Sequence, residues 1–153
     1  MLLFYGVSQL ISIFYGAPNI ASDKRIVDKA LSLIDAKPGQ KLIDLGCGFG
    51  KVLKIARNNY KLKVYGCEIS PLPYLISKIQ FHNIYYQSAT NINLKKYDII
   101  FCYLLPSLIK KIEPLLVYAI SQNKKVIAIS FGLENLKPAK TIKYLGKTIY
   151  IYQ

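Results

Sequence analysis

The stretch KLIDLGCGFG, residues 41–50, decides the fold of this chain. Its apolar first half is typical of a buried strand, and the residues that follow, KVLKIARNN at 51–59, are typical of a helix. Gly46 and Gly48 permit a turn that a Cβ would obstruct, so a ligand can approach the backbone closely. Such a turn exposes backbone N–H groups at the carboxyl edge of a sheet. The stretch therefore predicts a ligand site at that edge.

Strand and helix patterns alternate along the rest of the chain. The predicted strands are 63–68, 83–87, 97–104 and 126–131, and the predicted helices are 22–35, with Ser22 as N-cap, 71–81 and 107–121. Two further short strand patterns, at 141–145 and 147–152, flank Gly146 and predict a hairpin. This order predicts an α/β fold: a Rossmann-like, mostly parallel sheet with helices on both faces and a C-terminal antiparallel hairpin.

A charge-free and mostly apolar segment, residues 1–17, precedes the predicted domain at 18–153. It is predicted to be helical, and it lacks the basic start and cleavage site of a secretory signal. Three interpretations stay open: a short membrane anchor, a helix packed on the domain, or the remnant of a longer anchor. If the segment spans a membrane, basic residues just after it place the domain on the cytoplasmic side, namely Lys24, Arg25 and Lys29. We expect a cytoplasmic domain.

The composition is that of a basic, globular domain. The chain has 153 residues, of which 52% are hydrophobic, and 21 Lys and Arg against 8 Asp and Glu give a net charge of +13. This charge predicts attraction to nucleic acid, acidic protein faces or anionic lipid, although a compositionally biased genome would produce it as well. Only Arg25 and Arg57 are arginines, which favours a solvated surface over bidentate phosphate recognition.

Several kinds of chemistry are disfavoured by the residues present. The three cysteines, Cys47, Cys67 and Cys102, form no C-x-x-C pair and have no histidine nearby, which argues against zinc and a disulfide framework. We expect no metal. The single histidine, His82, would have to serve any catalytic triad, and no G-x-S-x-G accompanies it. We interpret His82 as a loop residue.

Two acidic residues indicate the ligand. Glu68 ends the second predicted strand, 24 residues after Asp44, where a carboxylate can bind both hydroxyls of a ribose. The third glycine, Gly50, comes one place too early for the dinucleotide motif G-x-G-x-x-G. Asp44, at the tip of the first strand, would repel a pyrophosphate and attract a cationic amino-acid group. These features favour S-adenosylmethionine over NAD; a glycine turn that serves packing alone stays as the alternative.

The motifs quoted above carry a family resemblance. LIDLGCGFG (42–50) and GCEIS (66–70) resemble motifs I and II of the class I, seven-strand S-adenosylmethionine-dependent methyltransferases. More narrowly, three segments look like the small protein-lysine methyltransferases: GAPNIAS (16–22), KPGQKLIDLGCGFGK (37–51) and YDIIFCYLLPSLIKKIEPLL (97–116). That group includes archaeal broad-specificity enzymes and the mitochondrial ATP synthase c-subunit enzyme. The resemblance covers about residues 16–153. It implies methyl transfer to a lysine amine of a protein substrate.

The resemblance also implies roles for individual residues. Asp44 would lie near the amino-acid end of the cofactor, Glu68 would bind the ribose, and Ile69 would pack on the adenine. The backbone N–H groups of Gly46, Cys47 and Gly48 in the turn would face the ligand. The small side chain of Cys47 would serve only to fill space. Ser88 or the backbone would contact the adenine, because QSAT (87–90) has Ala89 and no acid at a position where many class I enzymes have an acid.

Tyr103 is the predicted catalytic residue. It stands at the tip of the fourth predicted strand, where it would face the methyl group and the incoming nitrogen, and an aromatic face attracts an ammonium group. Packing within the sheet is the alternative for this tyrosine. The chain departs from the family pattern at Asn19, Ala21 and Gly132.

Other functions remain open beside protein-lysine methylation. Enzymes that methylate base amines place Asn or Asp with two prolines and an aromatic residue at the fourth-strand tip, whereas this chain has CYLLP at 102–106. A nucleic-acid substrate therefore rests on the net charge alone. A small-molecule methyltransferase and a noncatalytic S-adenosylmethionine-binding or membrane-scaffold protein are the further alternatives.

Overall fold

One mixed sheet organises residues 23–153, the part of the chain that the computed structural model describes. The strands are β1 (Lys41–Leu45), β2 (Lys63–Glu68), β3 (Ile84–Tyr86), β4 (Ile99–Cys102), β5 (Lys125–Ile129), β6 (Lys140–Tyr144) and β7 (Lys147–Tyr152). The helices are α1 (Lys24–Ser32), α2 (Lys51–Tyr60), α3 (Pro71–Gln80) and α4 (Pro106–Ser121), with single 3₁₀ turns at Ala89–Asn91 and Leu94–Lys96.

The strand order is β3-β2-β1-β4-β5-β7-β6, so β3 and β6 are the two edges. Strands β1 to β5 pair in parallel, and β7 runs antiparallel to both β5 and β6. This is the predicted Rossmann-like architecture with its C-terminal hairpin. Leu45 is in register with both Cys67 and Cys102, so β1, β2 and β4 end at the same level. The turn after β1 therefore lies between the residues that follow β2 and β4.

Apolar side chains on both faces explain why the central strands are buried. Alternate residues of β1 enter different cores: Leu42 packs with the residues of α1 and α2, whereas Ile43 and Leu45 pack with those of α4. The same alternation in β4 sends Phe101 to the first core and Cys102 to the second. A strand that is buried on both faces has a nearly continuous run of apolar residues. For this reason β1, β4 and β5 could be recognised in the sequence.

The N-cap of the first helix lies one residue later than predicted, and the helix ends at Ser32 rather than near Asp35. Its N-cap is Asp23, whose carboxylate accepts the N–H of Arg25 at 2.8 Å and also pairs with the Arg25 guanidinium. A carboxylate is as good a cap as a hydroxyl and also interacts favourably with the helix dipole. Ser22 and the whole of residues 1–17 lie outside the described residues. Within 23–153, no helix is both long and apolar enough to cross a membrane.

Candidate active site

The glycine turn after β1 is tied to β2 by its own backbone. The N–H groups of Gly46 and Cys47 both donate to the carbonyl oxygen of Cys67, each at 2.9 Å. Gly46, Gly48 and Gly50 have φ values of 77°, 52° and 78°, in the left-handed region that suits glycine. The sequence predicts that the Cys47 N–H faces a ligand; it is used inside the protein instead, because the turn folds back over the end of β2.

The side chain of Cys47 fills space against β2. A Cβ on Gly66 would lie 2.7 Å from the Cys47 sulfur, so the thiol occupies the room that this glycine leaves. Burial, above all, raises the pKa of the Cys47 thiol well above its usual range, which keeps it protonated and unreactive at neutral pH. Cys47 is thus a packing residue whose place depends on a glycine of the neighbouring strand.

Glu68, at the end of β2, holds the glycine turn from the other side. One oxygen, Oε2, accepts the N–H of Gly48 at 2.9 Å, and the other, Oε1, accepts the N–H of Ser70 at 2.7 Å. The residue is only 5% exposed. Each carboxylate oxygen can accept two hydrogen bonds, so each keeps one lone pair for a ligand. Two neighbouring acceptors held in this way suit a vicinal diol.

Asp44 is a second buried acid beside Glu68. It lies in β1 with 3% exposure, opposite Gly66 of β2. Burial raises the pKa of Asp44 to about 8, and the negative charge of Glu68 adds to this shift. At neutral pH Asp44 therefore keeps its proton in the ligand-free protein, and a nearby cation would favour its ionised form. The pair therefore suits a ligand that carries both a diol and a positive charge, and S-adenosylmethionine has both.

A cavity adjoins these groups, and we call it the first cavity; its volume of about 280 Å³ includes the open solvent at its mouth. Four predicted cofactor residues line it, namely Gly46, Glu68, Ile69 and Ser88. The Ser88 hydroxyl oxygen is also an N-cap, since it accepts the N–H and the hydroxyl of Thr90 at 3.3 and 3.0 Å. Asp44, Cys47 and Gly48 do not line the first cavity.

Sequence reasoning missed the apolar side of the first cavity. Leu104 follows β4 and Leu108 lies in the first turns of α4, and both are buried at the cavity wall. They look like ordinary core residues in the sequence, and only the turn of the chain at Pro106 places both beside Ile69. Cys67, Gln87 and Ala89 complete the lining. A mostly apolar wall next to a carboxylate suits an aromatic base joined to a ribose.

A second cavity, of about 660 Å³ including its open mouth, lies beyond the tip of β4. We call it the second cavity, and its lining comprises Tyr103, Leu105, Ser130, Phe131, Gly146, Lys147 and Thr148. Tyr103 and Glu68 thus line different cavities, because the alternation of side chains sends Leu104 to the first cavity, and Tyr103 and Leu105 to the second. The ammonium of Lys147 stands 5.9 Å from the centre of the Tyr103 ring.

The loop after β5, which borders the second cavity, is fixed by buried groups. The carboxylate of Glu113 accepts the N–H groups of Glu134 and Asn135 at 3.1 and 2.6 Å. The Tyr152 hydroxyl oxygen accepts the N–H of Leu133 at 2.8 Å. A Cβ on Gly132 would lie 2.8 Å from that hydroxyl, which explains this departure from the family pattern.

Two other polar residues, Asp98 and His82, lie away from both cavities. Asp98, just before β4, accepts the N–H of Lys41 at 2.8 Å, at the end of the sheet opposite the cavities, and is structural. His82 is exposed in the loop after α3 and lines neither cavity. Among residues 23–153, no group of three or more His, Cys, Asp and Glu residues could hold a metal ion.

Known proteins resemble this chain in sequence. Residues 44–140, nearly two thirds of the chain, match the family model described as the ANTKMT methyltransferase domain. The S-adenosylmethionine-dependent methyltransferase UmaA of Mycobacterium tuberculosis is 32% identical over 71 residues, which cover 46% of this chain and 25% of UmaA. The 24-methylenesterol C-methyltransferase 2 of Arabidopsis thaliana is 34% identical over 56 residues, 37% of this chain. The chain spans at most a quarter of these relatives' lengths.

Solved structures share the fold. An RNA methyltransferase from Salinibacter ruber, in complex with S-adenosyl-L-homocysteine, superposes with a TM-score of 0.79 at 23% identity, over 87% of this chain and 92% of that one. A mutant of MtNAS in complex with S-adenosylmethionine gives a TM-score of 0.71 at 10% identity, over 98% and 74% of the two chains. At these identities the likeness concerns the fold alone.

Proposed function

This chain belongs to the ANTKMT methyltransferase domain family, whose cofactor is S-adenosylmethionine, and from that premise we propose that it transfers a methyl group to a lysine amine of a protein. One observation carries the choice of acceptor: the Tyr103 ring at the second cavity already attracts an alkylammonium group, that of Lys147. A ring that holds one lysine side chain has the chemistry to receive another.

On this proposal, the acid pair and the first cavity bind the cofactor. Glu68 accepts hydrogen bonds from the ribose hydroxyls with the lone pairs that Gly48 and Ser70 leave free. Asp44 compensates positive charge near the turn, and Ile69 and Leu108 enclose the base. Bound S-adenosylmethionine supplies a methyl group on a positively charged sulfur. The protein has only to align the acceptor and to exclude water.

The second cavity would deliver the amine in its neutral form. Its lining residues include no Asp, Glu or His, the side chains that most often act as a general base. A lysine amine has an ordinary pKa of about 10.4, and both an apolar surrounding and a nearby positive charge lower the pKa of an amine. Tyr103, Phe131 and Lys147 provide these two influences. Proton loss to water before the transfer then suffices.

RNA is the second candidate acceptor. The net charge of +13 favours it, because a basic surface attracts phosphates. Against it, the described lining of the second cavity offers no Asn or Asp to bind the amino group of a base. A noncatalytic role is the third candidate. We further propose that the domain acts in the cytoplasm, at a membrane if residues 1–17 anchor it there.

Labelling with tritiated cofactor distinguishes these candidates. The full chain is incubated with separated membrane, soluble-protein and RNA fractions, and the labelled product is hydrolysed and identified. We expect the label in methylated lysine, with none transferred by the Gly48→Val variant. Label in RNA would replace the lysine assignment, whereas tight cofactor binding without label in any fraction would indicate a noncatalytic protein.

A further inference from the structure

Ser130, just after β5, has a conformation that serine rarely adopts. Its φ is 68°, in the left-handed region where side chains other than Gly, Asn and Asp are uncommon. The neighbouring strand fixes this conformation, because the Ser130 N–H donates to the carbonyl oxygen of Thr148 at 2.8 Å. Glycine would adopt the same backbone conformation without strain, so the presence of a serine side chain at this position requires an explanation.

The hydroxyl of Ser130 is itself unsatisfied. Its oxygen is buried and has no hydrogen-bond partner in the structure of residues 23–153, and no other buried side-chain polar atom there shares this state. Buried polar groups are nearly always paired, and each exception requires a reason. Backbone strain and an unpaired hydroxyl thus coincide at one residue, and that residue lines the second cavity beside Tyr103.

We propose that the Ser130 hydroxyl binds the nitrogen of the acceptor amine. This inference rests on the proposed function and extends it, because it names a chain residue that recognises the acceptor. Oγ is buried in the ligand-free structure, and rotation about χ1 would turn it into the second cavity. An amine N–H can then donate to Oγ while the ring of Tyr103 covers the alkyl chain, so the nitrogen lone pair stays free for the transfer. Ser130 remains protonated throughout, and its role is to bind and orient the acceptor. Strain concentrated at such a position is typical of functional sites.

The test uses a pair of glycine substitutions. Asn123→Gly is the matched control, because Asn123 is also left-handed, with φ 60°, but is exposed after α4 and lines neither cavity. Ser130→Gly is expected to raise the melting temperature of the cofactor-free protein, since glycine relieves the strain, whereas Asn123→Gly should change it little, because Asn tolerates the left-handed conformation. Only Ser130→Gly should raise KM for a peptide with a single lysine, by about tenfold for one lost hydrogen bond, with kcat/KM falling accordingly.

A binding measurement separates this inference from the proposed function. The probe is n-butylammonium, the end of a lysine side chain, titrated by NMR with S-adenosylhomocysteine present. Wild type and Asn123→Gly should bind it alike, and Ser130→Gly and Ser130→Ala about tenfold more weakly. Equal binding by all four proteins would overturn the role of Ser130, and so would a lower melting temperature of Ser130→Gly. If butylammonium binding depends on Ser130 but no protein lysine is labelled, only the proposed function fails.

Discussion

The two cavities beside the tip of β4 differ in how their polar groups are satisfied. Around the first cavity, the chain itself uses the N–H groups of the glycine turn and one lone pair of each Glu68 oxygen. At the second cavity, Ser130 is strained and unpaired, and Lys147 is exposed. The polar groups around the first cavity are positioned by internal hydrogen bonds before a ligand binds. The second cavity instead has a hydroxyl that can still form a hydrogen bond with a partner. We expect cofactor affinity to follow from the fold and acceptor recognition to be completed by the acceptor.

The strongest test of this contrast is Gly48→Val. Valine is strained at φ 52°, and any shift of the turn removes the N–H that holds Glu68, so we expect cofactor binding to be lost in calorimetry while the fold survives. Gly39→Val is the control: its φ is 85°, but a Cβ there meets nothing within 4 Å, so it should lose stability and bind normally. Normal binding by Gly48→Val would make the turn purely structural.

Glu68→Ala should have the next largest effect. The loss of two hydrogen bonds to a charged group, each about 1.5–3 kcal/mol, should weaken S-adenosylmethionine binding by at least a hundredfold. The variant also leaves the N–H groups of Gly48 and Ser70 without this acceptor, so the melting temperature should fall. Glu68→Gln should be intermediate, because an amide offers only one acceptor oxygen. Unchanged affinity would remove Glu68 from the site.

Replacing Asp44 by Asn should change the stability of the protein and its affinity for the cofactor in opposite directions. The pKa of Asp44 in the folded protein, about 8, exceeds the unfolded value of about 3.9, so the folded state retains a proton that the unfolded state loses. This group's contribution to the stability of the cofactor-free protein therefore falls as pH rises from about 4 to 8. Asp44→Asn should remove that slope, raise the melting temperature at pH 8 and weaken cofactor binding. A fall in melting temperature at pH 8 would contradict this assignment.

Tyr103 substitutions should have the smallest effect of the series. Tyr103→Phe keeps the ring and should retain most activity, whereas Tyr103→Ala loses an attraction of about 0.5–2 kcal/mol and should raise KM for the acceptor several-fold. Cofactor affinity should stay constant in both variants, because Tyr103 lines only the second cavity. Equal activity of the alanine variant would leave Tyr103 with a packing role, and weakened cofactor binding would show that the two cavities are not independent.

The parts of this molecule that depend on local pattern were predictable from the sequence. The bounds of β2 were predicted to the residue, and Glu68 stood out because it ends that strand beside a glycine turn. What could not be predicted depends on distant groups. A Cβ on Gly132 would crowd the hydroxyl of Tyr152, and the left-handed Ser130 is held by Thr148 of another strand.

Hydrogen bonds of the turn were hard to predict for the same reason. The sequence indicates that Gly46, Cys47 and Gly48 form a turn, but not which carbonyl or carboxylate their N–H groups meet. Two of them meet the carbonyl of Cys67, and the third meets Glu68. Glu113 is similar: within the helical pattern of α4 it resembles a solvated residue, whereas it is buried and holds the loop after β5.

The position of β6 at the edge of the sheet has a consequence for how copies of the protein behave in solution. An edge strand can add a strand from another molecule and so start aggregation. Lys140 and Lys143 are exposed on β6, and Lys147 is exposed on the adjoining strand. A second copy aligned along this edge would bring lysine side chains close to one another. Their repulsion opposes edge-to-edge pairing of strands at low ionic strength. Added salt screens that repulsion, so the protein should remain dispersed more readily in dilute buffer than in concentrated salt.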